Sequence, residues 1–135
     1  MELTEFLAEW HNDNDRILVH TSGSTGKPKP MMVEKKRMLN SARITCDFLG
    51  LKPGDTALLC MSLDYIAGKM MVVRSLQRGL QLTCVNPSSH PLADDTLPDF
   101  TFAAMVPMQV YDTLKVPRER EPVSYTHLTL PTKRI

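Results

Sequence analysis

The residues best suited to chemistry form one short run, Thr21-Ser22-Gly23-Ser24-Thr25-Gly26-Lys27-Pro28-Lys29. Gly23 and Gly26 permit positive φ and let backbone N–H groups approach an anion closely. Thr21, Ser22, Ser24 and Thr25 add neutral donors, while Lys27 and Lys29 add positive charge. A loop with that inventory is a cradle for polyphosphate. It is not a Walker A loop, which needs four residues between its glycines and Ser or Thr after its lysine. Here only Ser24-Thr25 separates Gly23 from Gly26, and Pro28 follows Lys27. A flexible Ser/Gly linker without a ligand is the rival explanation. The apolar strand expected just before the loop and the Pro28-Lys29 continuation after it favour the cradle.

Other reactive residue types form weaker patterns. Cys46, Cys60 and Cys84 are widely spaced with no CxxC pair, so they read as reduced core thiols rather than a disulfide framework or a zinc site. His11, His20, His90 and His127 lack metal-ligand spacing, and no metal site is assigned. Asp64 reads as a solvated turn carboxylate, His20 equally as a half-buried strand residue or a hydrogen-bond partner of the loop, and Lys35-Lys36-Arg37 as a solvated helix start. A serine hydrolase built on Ser22 or Ser24 is excluded, because the chain has no G-x-S-x-G elbow.

The elements that must position the loop follow from periodicity. Leu3, Phe6, Leu7 and Trp10 fall on one face of a short helix, and His11 to Asp15 ends it. Arg16 to Thr21 reads as a buried strand feeding the loop. Met31-Met32-Val33 is a short strand on the far side, since Pro28 and Pro30 forbid a helix. Leu39, Ala42, Cys46 and Leu49 mark the inner face of the next helix, with Gly50 as its C-cap and Lys52-Pro53-Gly54-Asp55 as a turn. Thr56 to Met61 is a strand. Ile66 to Arg78 is a helix with Ile66, Met70, Val73 and Leu76 inward, ending at Gly79. Leu80 to Val85 and Phe100 to Val106 are strands separated by a proline-punctuated loop, and Pro107 opens a helix over residues 108–114. Strands alternating with helices predict an α/β fold with a mainly parallel sheet flanked by helices.

His20 to Lys29 resembles the phosphate-loop signature of the adenylate-forming superfamily, the acyl- and aryl-CoA synthetases, luciferases and peptide-synthetase adenylation domains. The usual pattern is Thr-Ser-Gly-Ser/Thr-Thr-Gly-x-Pro-Lys-Gly, and only the last position differs, where this chain has Pro30. Leu51 to Thr56 resembles the family's turn into its next strand. Met61 to Lys69 resembles a segment the family writes Leu-Pro-Leu-x-His-x-x-Gly, with Ser62 in place of Pro and Tyr65 in place of His. Ala104 to Val110 resembles the Val-Pro-Thr-Gln-Leu stretch of the o-succinylbenzoate–CoA ligases of menaquinone biosynthesis. The resemblance implies a partial N-terminal subdomain of an enzyme that activates a carboxylate with ATP as an acyl-adenylate and passes it to coenzyme A. It implies that Thr21, Ser22, Gly23, Ser24, Thr25, Gly26, Lys27 and Lys29 hold the ATP phosphates. It also places Tyr65 and Gly68 near the acid, and implies Mg²⁺ and coenzyme A as further participants. Another acyl- or aryl-CoA synthetase, or an inert nucleotide- or pyrophosphate-binding fragment, is the alternative. The family's metal-holding Glu, ribose-binding Asp and C-terminal lysine have no counterpart here, so no catalytic residue is assigned and the chain alone is expected to be inactive.

The end of the chain is expected to have another source, the alternative being a genuine polar tail. Residues 123–132, Val-Ser-Tyr-Thr-His-Leu-Thr-Leu-Pro-Thr, resemble one translated reading frame of a transposase-type sequencing adapter. The expected organisation is therefore a truncated AMP-binding domain over residues 1–121 and a non-native tail over 122–135. The bulk properties fit: 135 residues, 42% apolar, 23% charged and net charge +1 suit one modest soluble domain. Near-neutral charge gives no case for nucleic acid or an anionic membrane as partner, and the resemblance implies a small carboxylic acid as substrate. No apolar run reaches the length of a membrane helix, and the acidic start Met1-Glu2-Leu3-Thr4-Glu5 does not resemble a secretory signal, so a cytoplasmic location is expected.

Overall fold

The computed structural model describes residues 1–21, 27–86, 100–105 and 109. The body of the phosphate-rich run, most of the proline-punctuated loop, the helix expected over 108–114 apart from Gln109, and the adapter-like tail lie outside the described residues. The elements in chain order are α1 (Leu3–Trp10), β1 (Arg16–Thr21), β2 (Lys29–Glu34), α2 (Lys35–Leu49), β3 (Thr56–Leu59), α3 (Ile66–Arg78), β4 (Gln81–Cys84) and β5 (Phe102–Ala104). Each strand or helix expected within the described residues is present.

Two sheets form. β4, β3 and β5 make a parallel sheet with β3 in the centre, and Leu58 pairs with both Thr83 and Ala103. Parallel neighbours need a crossover, and α3 supplies it between β3 and β4. β3 is apolar from Ala57 on because both of its faces are covered: Ala57 and Leu59 join the main core, while Leu58, with Cys60 just past the strand, joins a second cluster with Phe100, Ala103 and Met105. β1 and β2 form a separate antiparallel ribbon, with Thr21 opposite Lys29, Val19 opposite Met31 and Ile17 opposite Val33.

The strand expected to be buried throughout, β1, is half-buried instead. Ile17 and Val19 enter the core while Leu18 is exposed, because a two-stranded ribbon has one face against the body and the other outside it. Two helix faces are also rotated from expectation. In α2 the inward residues are Met38, Ala42 and Cys46, with Leu49 partly buried and Leu39 exposed. In α3 Leu76 is exposed, and Met71 and Val72 are buried beside Met70 and Val73. The reason is that α2 and α3 pack on each other as well as on the sheets, so the covered stripe widens and turns. Cys46 and Cys60 are buried thiols, whereas Cys84 is exposed at the end of β4, a correction to its expected place in the core.

Both long helices stop at glycine in the left-handed region, Gly50 at φ 67° and Gly79 at φ 70°. That geometry turns the free carbonyls of the last turn onto the N–H groups that follow, as in Leu51 N–H to Cys46 O at 3.0 Å and Leu80 N–H to Ser75 O at 3.0 Å. Arg78 then clamps the two helix ends. Its guanidinium pairs with Asp47 and donates to the Leu51 carbonyl at 2.9 Å. Among the described residues no helix is long and apolar enough to cross a membrane.

Candidate functional site

The two residues that bracket the phosphate-rich run meet at one rung of the ribbon. β1 ends at Thr21 and β2 begins at Lys29, and these two residues are directly opposite one another. Cross-strand partners share a face, so Thr21 and Lys29 lie on the face that carries Ile17 and Val19. Lys27 and Lys29 are exposed and Thr21 is half-buried. Ser22, Gly23, Ser24, Thr25 and Gly26 lie outside the described residues.

The ribbon is tied to the body at its other end. The Lys35 N–H donates to the Asp15 carbonyl at 2.8 Å, and the Lys35 ammonium donates to the Asn12 side-chain oxygen at 2.7 Å. The lysine expected to be only a solvated helix start therefore also holds the loop leading into β1. Lys36 and Arg37 are exposed, as expected.

Beside the ribbon lies a cavity of about 400 Å³. Leu18 and His20 of β1 and Pro28 line one side, and Asp64, Tyr65 and Lys69 line another. Tyr65, assigned to the acid from sequence, thus sits across a cavity from residues that flank the phosphate run. Gly68 does not line it. A Cβ built on Gly68 would lie 2.2 Å from the Ser62 carbonyl oxygen, so the absence of a side chain there lets the turn before α3 sit directly on the helix.

That turn is held by several polar contacts. The Asp64 N–H donates to Ser62 Oγ at 3.1 Å, and the Lys69 ammonium donates to the Leu63 carbonyl at 2.7 Å. Asp64 is a largely exposed carboxylate that accepts from the Met1 terminal ammonium at 2.7 Å, and this hydrogen bond holds its pKa below the ordinary value. Its partner ammonium is raised for the same reason. Lys69 is 2% exposed, and burial lowers its pKa. Sequence reasoning took Lys69 only as the end of a motif. Its one advance signal was a lysine in the first turn of a helix whose neighbours are apolar.

No group of three His, Cys, Asp or Glu side chains capable of holding a metal occurs among the described residues.

Three likenesses accompany this geometry. The acyl-CoA synthetase (AMP-forming)/AMP-acid ligase II-like protein of Dyadobacter fermentans superposes with a TM-score of 0.77 and 42% identity, over 82% of this chain and 32% of that one. The 2-succinylbenzoate–CoA ligase of Enterococcus faecalis is 37% identical over 65 residues, 48% of this chain and 13% of that protein. Malpinin synthetase of Mortierella alpina is 29% identical over 122 residues, 86% of this chain and 2% of that protein. The chain thus spans a minor part of the length of each relative. The family model for AMP-binding enzymes matches residues 5–131, and the chain belongs to that family.

Proposed function

We propose that this chain is the phosphate-binding part of an acid–CoA ligase and that its parent enzyme activates o-succinylbenzoate. Enzymes of the AMP-binding family use ATP. The observation that supports the reading is that Thr21 and Lys29, which bracket the phosphate-rich run, pair across the ribbon, while the adjoining His20 and Pro28 line a cavity together with Tyr65. Thr21, Ser22, Gly23, Ser24, Thr25 and Gly26 would supply donors to the ATP phosphates, and Lys27 and Lys29 the charge. ATP supplies the phosphorus that the substrate carboxylate attacks, with pyrophosphate as leaving group and coenzyme A as the acceptor. Pairing with Thr21 fixes the Lys29 backbone at the end of the phosphate-rich run, and its exposed side chain would supply charge to an anion bound there. The cavity, with Leu18 and Pro28 as apolar walls and the rings of His20 and Tyr65, suits an aryl acid.

The choice of o-succinylbenzoate rests on the partial likeness to the Enterococcus faecalis ligase. The test is made on the parent polypeptide with ATP, coenzyme A and o-succinylbenzoate. Formation of the acyl-CoA is expected, and Lys29→Ala should lower kcat/KM by about a hundredfold through lost phosphate stabilisation. A parent that accepts a different acid overturns the choice of acid alone. A parent with no acid-dependent ATP–pyrophosphate exchange overturns the ligase reading and leaves a nucleotide- or pyrophosphate-binding fragment.

A further inference from the structure

We propose that Lys69 is a positioning residue for the acid substrate, fixing the turn from Ser62 to Tyr65 on the first turn of α3 and thereby holding Tyr65 in the cavity wall. The inference rests on the reading of that cavity as the acid site. Lysine is almost never fully buried unless its charge is compensated. Here the compensation is mostly a backbone carbonyl: Lys69 Nζ donates to Leu63 O at 2.7 Å, touches Met1 Sδ at 3.4 Å, and lies 5.8 Å from the centre of the Phe6 ring. No salt bridge engages it among the described residues, and Glu9 and Asp64 act on it only through their fields.

The seat of the turn is built from two consecutive helix residues. Gly68 receives the Ser62 carbonyl at a distance no side chain would allow, and Lys69 binds the carbonyl of the next residue, Leu63. With both carbonyls fixed, the Asp64 N–H closes on Ser62 Oγ, and Tyr65 becomes the N-cap residue of α3 with an extended backbone. The Tyr65 N–H donates to the Ser62 carbonyl at 3.5 Å, so the Tyr65 backbone is held to a turn that Gly68 and Lys69 seat on the helix. A charged donor to a buried carbonyl is stronger than a neutral one, which suits it to holding a single arrangement. The ring contact to Phe6 extends the same anchor to α1, so the helix and the turn are braced by one side chain.

The test is a pair of Michaelis constants measured on the parent enzyme. Lys69→Met should raise KM for the acid about tenfold or more, since small misplacements of a pocket wall are costly, while KM for ATP stays within about twofold. Lys69→Arg, which retains a charged donor, should recover most of the loss. In a Tyr65→Ala background the Lys69→Met change should add nothing further, because the two residues act as one unit. If Lys69→Met does not fold, Lys69→Gln is read by the same split. A folded Lys69 variant with unchanged acid KM, equal rises in both constants, or an effect additive with Tyr65→Ala overturns the proposal. A wild-type parent with no acid-dependent exchange overturns the acid-site reading as well, which separates the two failures.

Discussion

Single side chains carry much of the contrast between the two cores. Cys60 is buried under β5, its thiol facing the Ala104 carbonyl at 3.4 Å, and burial pushes its pKa up to about 12. The thiolate is the reactive form, so Cys60 should resist alkylation at pH 8 until the protein unfolds. Cys84 is exposed and should react first with iodoacetamide, with mass spectrometry of the digest giving the order. Gly68 gives a second residue-scale expectation. Gly68→Ala sets a methyl group 2.2 Å from a backbone oxygen that has no flexible end to yield. Overpacking of that kind should lower unfolding free energy by about 2 kcal/mol or more, measured by urea denaturation. Neither outcome was legible beforehand. The sequence grouped all three cysteines as core thiols, because nothing in residue spacing distinguishes a central strand from the end of an outer one. Gly68 was assigned to the acid by motif, and only the approach of the Ser62 carbonyl displays its packing role.

At the level of elements, punctuation was the most readable feature. Gly50 and Gly79 end α2 and α3 as expected, because positive φ at a helix end is a local requirement that a sequence states directly. Gly50→Ala should cost about 1 kcal/mol, with the loss visible in thermal unfolding. Faces were less readable than ends. Leu39 and Leu76 satisfy helical spacing yet are exposed, since the covered stripe depends on how α2 and α3 cross. Arg78 and Asp47 add a pH dependence to that crossing. The Arg78 hydrogen bond holds the Asp47 pKa below its ordinary value. The carboxylate is therefore favoured in the folded state. Its stabilisation is present above the unfolded carboxylate pKa, about 3.9, and is lost as pH falls through the lowered folded value. Asp47→Asn should remove that part of the acid limb in denaturation profiles taken between neutral and acid pH.

For the molecule as a whole, alternation of strand and helix was enough to give a parallel sheet, and the structure has one in β4-β3-β5. The split into a sheet and a separate ribbon was not readable, because nothing local says whether the β1–β2 hairpin joins the parallel sheet or stands apart from it. Phe48 is 86% exposed, and Ile44 is exposed one turn before it on α2. Phe48→Ser should leave stability within about 0.5 kcal/mol while reducing binding of the dye ANS. The chain alone should show no acid-dependent ATP–pyrophosphate exchange, measured beside the parent with the same acids. The central place of β3 also has a consequence in time. β3 and β4 emerge from the ribosome with only α3 between them, so they can pair while β5 is still unmade. Until Phe102–Ala104 arrives, the second edge of Ala57-Leu58-Leu59 leaves its peptide groups unpaired on a strand with apolar side chains. Closing that edge requires the most remote pairing in the described fold, and remote pairings form slowly. Docking of β5 is then the step at which a nascent chain either closes that edge or offers β3 to a neighbour, and among the described strands β5 decides how long that exposure lasts.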